Sequence, residues 1–485
     1  MGFSVLRILT YVLGIVGVAM ALPLAVALDA GERACAWAFL VPALAGGAAA
    51  AAFWLAAKRR PRVFDVRSAF GVVAGIWIAT CLFGALPLYF SGAYPSAVDA
   101  VFESVSGFTT TGASVCGDVE SLPRSVNLWR CETHWLGGLG VIALAVALIP
   151  LLGVGGFRLI KAETTGPEKE KFTNFIATTA KSLWGIYMVL TALQAVLLLS
   201  FGVGFVDALA HAFSTMGTGG FSTRNASVGS FGMPAVEWTC TAFMLLASLN
   251  FAVYYRLLSG RHSEVRRDSE LRAFLLIVAA AVSVAAAVEF EGLSRLGETL
   301  RRVSFQVASI LSTTGFMTDD YLSWRPAAQA VLFALFFVGG CSGSTAGGIK
   351  VVRWTVLAKQ LRNEMRRILH PHQVFTLKLN GVPGREEVVP VVASFVFAYF
   401  ALAAATTFAG TLAGLDVFTA LTAALSMVGN IGPALGSLGP SANYGALPAA
   451  LKWWYSFAML AGRLEIYTML ILLGRAAARI RPLPR

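Results

Sequence analysis

The chain has 485 residues, of which 57% are apolar and only 13% charged. A water-soluble domain carries about 25% charged and about 45–50% apolar residues, so this balance excludes an ordinary soluble globular protein and puts the polypeptide in a membrane. The net charge of +12 could suggest a nucleic-acid partner, but the 38 Lys and Arg residues concentrate between the hydrophobic runs, as insertion topology requires.

Uncharged stretches such as 8–28 and 388–415 are long enough to cross about 30 Å of hydrocarbon as helices, and they lack the alternation of barrel strands. Ten spans are expected in chain order: 5–28, 35–57, 69–92, 133–156, 182–204, 236–258, 271–290, 327–349, 387–412 and 448–474. The first is too long for a signal-peptide core and has no small-residue cleavage site after it, so it is expected to stay. Shorter semi-apolar segments near 97–114, 205–222, 300–316 and 415–436 cannot span, and each ends in a glycine-containing stretch. They read as re-entrant pieces, which need protein or a water-filled cavity around their backbone.

The loops at 58–67, 157–181, 256–272, 350–385 and 475–485 carry 27 Lys or Arg residues, and the opposite-side segments carry 8. That asymmetry predicts cytoplasmic N- and C-termini, with all four re-entrant segments opening outward. The six cysteines show no metal spacing. Cys116 and Cys131 fall in one expected external loop where a disulfide is chemically allowed, although free thiols are the commoner state.

The re-entrant pieces repeat. Asp99-Ala-Val-Phe-Glu-Ser-Val-Ser-Gly-Phe-Thr-Thr-Thr111-Gly112 aligns with Asp207-Ala-Leu-Ala-His-Ala-Phe-Ser-Thr-Met-Gly-Thr-Gly219-Gly220. A third copy ends Ser312-Thr-Thr-Gly-Phe316 without the leading Asp, and a fourth runs from Asp416 to Gly429-Asn-Ile-Gly-Pro433. Asp99, Asp207 and Asp416 read as helix caps. Four short helices whose C-termini converge aim partial negative charge at one cavity, and glycines after them let carbonyls turn inward and replace the hydration shell of a cation such as K⁺. Any single glycine among 48 would more simply be a turn or packing contact; the set of four is harder to explain that way. Glu103, His211 and Gln306 are expected to pack or hydrogen-bond, and His134, Trp135 and Gly137-Gly138 to pack at the top of a helix.

The eighth span carries Gly339-Gly-Cys-Ser-Gly-Ser-Thr-Ala-Gly-Gly-Ile-Lys350, where clustered glycines disfavour a straight helix. The run superficially resembles a phosphate-binding loop, but Ile349 interrupts the Gly-Lys order. Arg463 lies inside the last apolar run and must face the bundle interior or water. The alternative, a structural pair with Glu465, is disfavoured because i and i+2 point to different helix faces.

These motifs, with Phe108-Thr-Thr-Thr-Gly-Ala-Ser114 and Gly219-Gly-Phe-Ser-Thr223, resemble those of bacterial Trk-type potassium uptake membrane subunits (the TrkH/TrkG-like branch of the Trk/Ktr/HKT superfamily) over essentially the whole chain. The resemblance implies an all-α integral membrane protein of ten transmembrane helices, with four helix–pore-helix–helix repeats around a pseudo-fourfold pore. Two extra helices would occupy 1–68 and the repeats 69–158, 159–260, 261–370 and 371–485. It implies filter glycines Gly112, Gly220, Gly315 and Gly432, with Gly429 competing for the last place. Thr110, Thr111, Gly219, Thr313, Thr314, Asn430 and Ile431 would surround K⁺. Related plant proteins with Ser at the first filter position prefer Na⁺, so Gly112 points to K⁺. Gly343, Ser344, Thr345, Ala346 and Gly347 would form an intramembrane gate loop, with Arg463 as a positive post below the filter. The implied setting is the bacterial inner membrane, with a homodimer and a cytosolic nucleotide-binding regulatory subunit (TrkA-like). K⁺ is the cargo, and no organic cofactor is expected in this chain. A secondary transporter of another small solute would also use broken helices. An enzyme is not expected, since HExxH, GxSxG and a facing carboxylate pair are all missing.

Overall fold

The computed structural model describes residues 2–56, 66–152, 169–370, 372–373, 376–380, 382–383 and 388–469. The expected loops at 58–67, 157–181 and 475–485 lie wholly or partly outside them, as does the expected 158/159 repeat boundary.

Apolar composition and chain direction produce two kinds of helix. α1 (Gly2–Ala19) and α2 (Ala21–Asp29) form the first span, and α3 (Arg33–Ala56) returns beside it. Gly14 and Gly17 face Ala43, Gly46 and Ala50 at backbone distance, so the two helices approach along a seam of small residues. The Glu32 carboxylate then accepts hydrogen bonds from the backbone N–H of Arg124 (2.8 Å) and Ser125 (3.3 Å), at the N-terminus of a later helix. A negative charge at that positive helix end ties the extra pair to the first repeat.

Four sets follow. The first is α4 (Val66–Phe90), α5 (Ala97–Phe108) and α6 (Arg124–Leu152); the second is α7 (Lys169–Ser200), α8 (Phe205–Gly217), α9 (Pro234–Ala247) and α10 (Phe251–Leu258). After the short α11 (His262–Arg266), the third comprises α12 (Ser269–Val288), α13 (Leu296–Leu311), α14 (Pro326–Leu335) and α15 (Val351–Leu369). The fourth is α16 (Val388–Leu412), α17 (Val417–Gly429) and α18 (Ala449–Arg463). Among the described residues, the one departure from helix and loop is a two-residue antiparallel ladder, Lys378–Leu379 with Val382–Pro383. The sets close a ring: α6 packs on α8, α9 on α13, α15 on α16, and α18 back on α5.

Six described helices are long and apolar enough to cross a membrane, and in each only 22–44% of the spanning window is buried. Exposed Ile15, Val18, Trp37, Leu276, Phe397 and Phe408 belong to this lipid-facing surface. The short helices behave oppositely: every residue of α8 from Ala210 to Gly217 and of α17 from Thr422 to Gly429 is buried, so their backbone is sheathed in protein.

Three expected spans are less regular than a continuous apolar run suggests. The sixth bends by 90° between α9 and α10, where the Asn250 side chain caps the new helix by accepting from Ala252 N–H (2.9 Å). The eighth stops at Leu335, and residues 336–350 run as a loop before α15. The tenth breaks after Arg463, where Glu465 and Ile466 adopt left-handed backbone, and helix resumes at 467–469. Capping also differs from expectation: Ser96, not Asp99, caps α5, and Gly204 rather than Asp207 precedes α8, while Asp416 does cap α17. Cys116 and Cys131 stand as free thiols, their Sγ atoms directed at the carbonyls of Asp118 and Phe221.

Candidate functional site

All four short helices end in one way. The N–H groups of Thr111, Gly219, Thr314 and Ile431 donate to the carbonyls of Ser106, Ser214, Ser309 and Ser426, at 2.8, 2.9, 2.9 and 3.0 Å. This six-residue closure requires a left-handed residue just before the donor, a place usually given to glycine. Here it is Thr110, Thr218, Thr313 and Asn430, with φ of 54°, 54°, 56° and 54°. Left-handed backbone at a non-glycine residue is strained, and such strain collects at functional sites.

Two residues later come Gly112, Gly220, Gly315 and Gly432, all left-handed, with φ of 80°, 86°, 77° and 98°. A Cβ on Gly112 would fall on the carbonyl oxygen of Gly219, one on Gly220 on that of Thr314, one on Gly315 on that of Ile431, and one on Gly432 on that of Thr111. Each glycine thus touches the residue before the next repeat's glycine, and the fourth returns to the first. Gly432 therefore occupies the fourth position, and Gly429 is the last residue of α17.

Behind this ring, the residue nine places before each glycine reaches forward in three repeats. Glu103 accepts from Ser114 Oγ (2.8 Å) and Val115 N–H (2.9 Å), His211 Nε2 meets Ser222 Oγ (2.9 Å), and Gln306 donates to the Asp319 carbonyl (3.1 Å). The fourth has Ala423 there, and Thr422 instead bonds both the N–H and the carbonyl of Leu435 (3.2 and 3.1 Å). His134 joins two repeats: its Nε2 accepts from Phe221 N–H (3.1 Å), which leaves Nδ1 to donate to the Gly107 carbonyl (2.8 Å). That geometry assigns a neutral ring with its proton on Nδ1. Gly137 and Gly138 lie at backbone distance from Phe108 and Gly217 at the ends of α5 and α8, the packing expected of them.

Residues 336–350 lie against the ends of the short helices. The Gly347 N–H donates to Thr313 Oγ1 (2.6 Å), and a Cβ on Gly347 would meet the Gly429 carbonyl. Thr345 Oγ1 lies 3.0 Å from the Met216 carbonyl and 3.1 Å from that of Ala247. The buried Arg463 donates to the Thr345 carbonyl (2.7 Å), and Lys350 reaches back to that of Ala346. Glu465 pairs with Arg353, so Arg463 has no carboxylate partner there. The flanks are pinned as well: Ser342 Oγ and N–H both donate to Glu270 (2.6 Å each), Cys341 N–H donates to the Ser248 carbonyl (2.9 Å), and Phe251 N–H to that of Gly343 (3.1 Å). Gly343 itself is left-handed, with φ of 68°, while Ser344 Oγ bonds the Cys341 carbonyl within the loop.

The profile of the TrkH family, described as "Cation transport protein", matches residues 44–476. The chain belongs to the TrkH family. It is 39% identical over 430 residues to the Trk system potassium uptake protein TrkH of Halomonas elongata, covering 87% of this chain and 88% of that protein. The Salmonella typhimurium protein of the same name is 38% identical, over 93% and 94% of the two chains. The crystal structure of the potassium transporter TrkH from Vibrio parahaemolyticus superposes with a TM-score of 0.86 at 33% identity, over 98% of each chain.

In this TrkH-family chain every residue singled out for the ring, from Thr110 to Gly432, falls in one of the four glycine strands, and of the loop residues 343–347 it is Thr345 whose carbonyl meets Arg463. Sequence reasoning missed Thr218, the left-handed partner of Thr110, Thr313 and Asn430. It stands two residues before Gly220, as Thr110, Thr313 and Asn430 stand two before their glycines, so aligning all four repeats on the glycines exposes it. The same alignment places a serine six residues before every glycine, and the carbonyls of these serines close the helix ends.

Proposed function

We propose that this TrkH-family chain takes up potassium ions, passing them through the ring formed by the four glycine strands. The observation that carries the reading is ring closure: four left-handed glycines, each seated on the carbonyl of the next repeat, at the C-terminal ends of four short helices. Helix C-termini carry the equivalent of about half a negative charge each, so a cation is favoured among them and an anion is not. Backbone oxygens of Thr110, Thr111, Thr218, Gly219, Thr313, Thr314, Asn430 and Ile431 would replace the hydration shell of K⁺. The buried Thr110 Oγ1 and Asn430 Oδ1, which have no hydrogen-bond partner, fit a polar cavity. The potassium names of the relatives agree with this cargo.

Beneath the ring, the loop from Gly343 to Gly347 would act as the gate, with the Arg463 charge opposing leakage of cations when the loop is closed. Residues 1–68 would form two extra helices, followed by four repeats at 69–158, 159–260, 261–370 and 371–485. Both termini would lie on the cytoplasmic side of a bacterial inner membrane, the chain would pair with a second copy, and a nucleotide-binding regulatory subunit would act from the cytosol. Supporting the last point, the basic segments 256–272 and 350–385 adjoin the loop through α10 and α15.

The test is K⁺ and Na⁺ flux into liposomes carrying the purified chain, wild type beside Gly112→Ser. A side chain there meets the Gly219 carbonyl at a φ of 80°, so the variant is expected to lose K⁺-over-Na⁺ discrimination. If folded protein supplied with its regulatory subunit passes no monovalent cation at all, the secondary-transporter reading replaces this one.

A further inference from the structure

Glu103 and Arg130 form the one ion pair, among the described residues, in which both side chains are essentially inaccessible, at 0% and 1% exposure. The pair sits directly behind the glycine ring. Arg130 lies on α6, where its Nε donates to Glu103 Oε1 (2.8 Å), one terminal nitrogen to Asn127 Oδ1 (2.9 Å) and the Ser222 carbonyl (3.3 Å), and the other to Ser114 Oγ (3.2 Å). Its guanidinium carbon stands 4.3 Å from the centre of the Phe221 ring. Glu103 in turn holds Ser114 Oγ and Val115 N–H. One rigid cation therefore touches the strand leaving Gly112, through Ser114, and the strand leaving Gly220, through Phe221 and Ser222.

The corresponding places in the other repeats are neutral: His211, Gln306 and Ala423. A buried pair of opposite charges is costly to desolvate and gives no assurance of net stability, so its presence at one joint of the ring calls for a role in geometry. The planar fork of Arg supplies that, since it fixes several acceptors in direction as well as distance. We propose that Glu103 and Arg130 are positioning residues for ion selectivity: together they set the spacing between the first and second glycine strands. The inference rests on the ring being the filter.

The experiment measures the K⁺-to-Na⁺ flux ratio in liposomes carrying the full chain, for Glu103→Gln, Ser114→Ala, Ser114→Thr and Gly112→Ser beside wild type. Glu103→Gln leaves the Arg130 charge unbalanced behind the strands and is expected to lower the ratio about tenfold, the scale on which outer partners of ion ligands act. Ser114→Ala keeps the ion pair and the Val115 N–H bond but removes the hydroxyl that both partners hold, and is expected to lower the ratio by a smaller factor than Glu103→Gln, with Ser114→Thr restoring it. A merely structural role would reduce the amount of inserted protein and both fluxes together, leaving the ratio alone. If Glu103→Gln fails to insert, Ser114→Ala carries the test. A wild-type ratio in Ser114→Ala, with a changed ratio in Gly112→Ser, overturns the positioning role while the filter reading stands. A wild-type ratio in Gly112→Ser as well overturns both.

Discussion

At the scale of single residues, Gly429 and Gly432 lie three apart yet carry different demands. Gly429 ends a helix, and the nearest atoms to a Cβ there would be side-chain ones, the Tyr399 hydroxyl at 3.1 Å and the Ile431 side chain at 3.2 Å. Gly432 has φ of 98° and sits on the backbone of Thr111 and Gly112. A left-handed alanine is strained by about 1–2 kcal/mol even without that collision. Gly432→Ala is therefore expected to abolish selective K⁺ flux, and Gly429→Ala to retain most of it, when the two are compared in liposomes at equal incorporation. Equal fluxes from the two variants would remove Gly432 from the ring. The buried pair behind the ring is also sensitive at this scale, because removing one partner of such a pair typically costs about 3–5 kcal/mol.

At the scale of elements, the third repeat shows why its leading Asp is missing. Asp207 stands thirteen residues before Gly220 and pairs with Arg224, four residues after it (2.6 Å). Arg302 stands thirteen before Gly315 and pairs with Asp319, four after it (2.6 Å). The bond is the same with its polarity reversed. In the fourth repeat Thr419 Oγ1 accepts from Ser437 N–H (3.1 Å), and in the first Asp99 takes Lys452 from α18 (2.6 Å). Each short helix thus clips the strand that follows it, or the neighbouring repeat, near its outer end. The Arg302–Asp319 pair is part-exposed and is worth about 1 kcal/mol or less, so it should tolerate exchange. The double swap Arg302→Asp with Asp319→Arg is expected to keep thermal stability and flux nearer to wild type than either single change does. A double variant worse than both singles, in melting temperature and in flux, would show that polarity matters as well as pairing.

At the scale of the whole molecule, the loop held by Arg463 lies against the ends of the short helices, where the proposed path would pass. Arg463→Ala removes both a positive charge and the hydrogen bond to the Thr345 carbonyl, so K⁺ flux is expected to rise in liposomes at matched protein. Unchanged flux in a folded variant would leave Arg463 without a gating role. Much of this arrangement was legible in the chain: uncharged runs gave the spans, and short segments ending in glycine gave the re-entrant helices. The clustered glycines after residue 338 announced the break in the eighth span, whereas the runs concealed the breaks at 248–250 and after Arg463, because hydropathy averages over a window and does not register where the helical hydrogen bonds stop. Thr218 was concealed for another reason. Left-handed backbone is a property of position, and threonine does not advertise it as glycine does.

The cyclic seating of the glycines makes the opening behave like a stone arch. Each strand is a keystone to the next, since Gly112 rests on Gly219, Gly220 on Thr314, Gly315 on Ile431 and Gly432 on Thr111. No one strand can move inward around a smaller ion without pressing on its neighbour, and the pressure comes back round to where it began. The width of the ring is thus a property that all four segments hold in common, even though they are built of three different sequences, Thr-Thr-Gly in two quarters and Thr-Gly-Gly and Asn-Ile-Gly in the others.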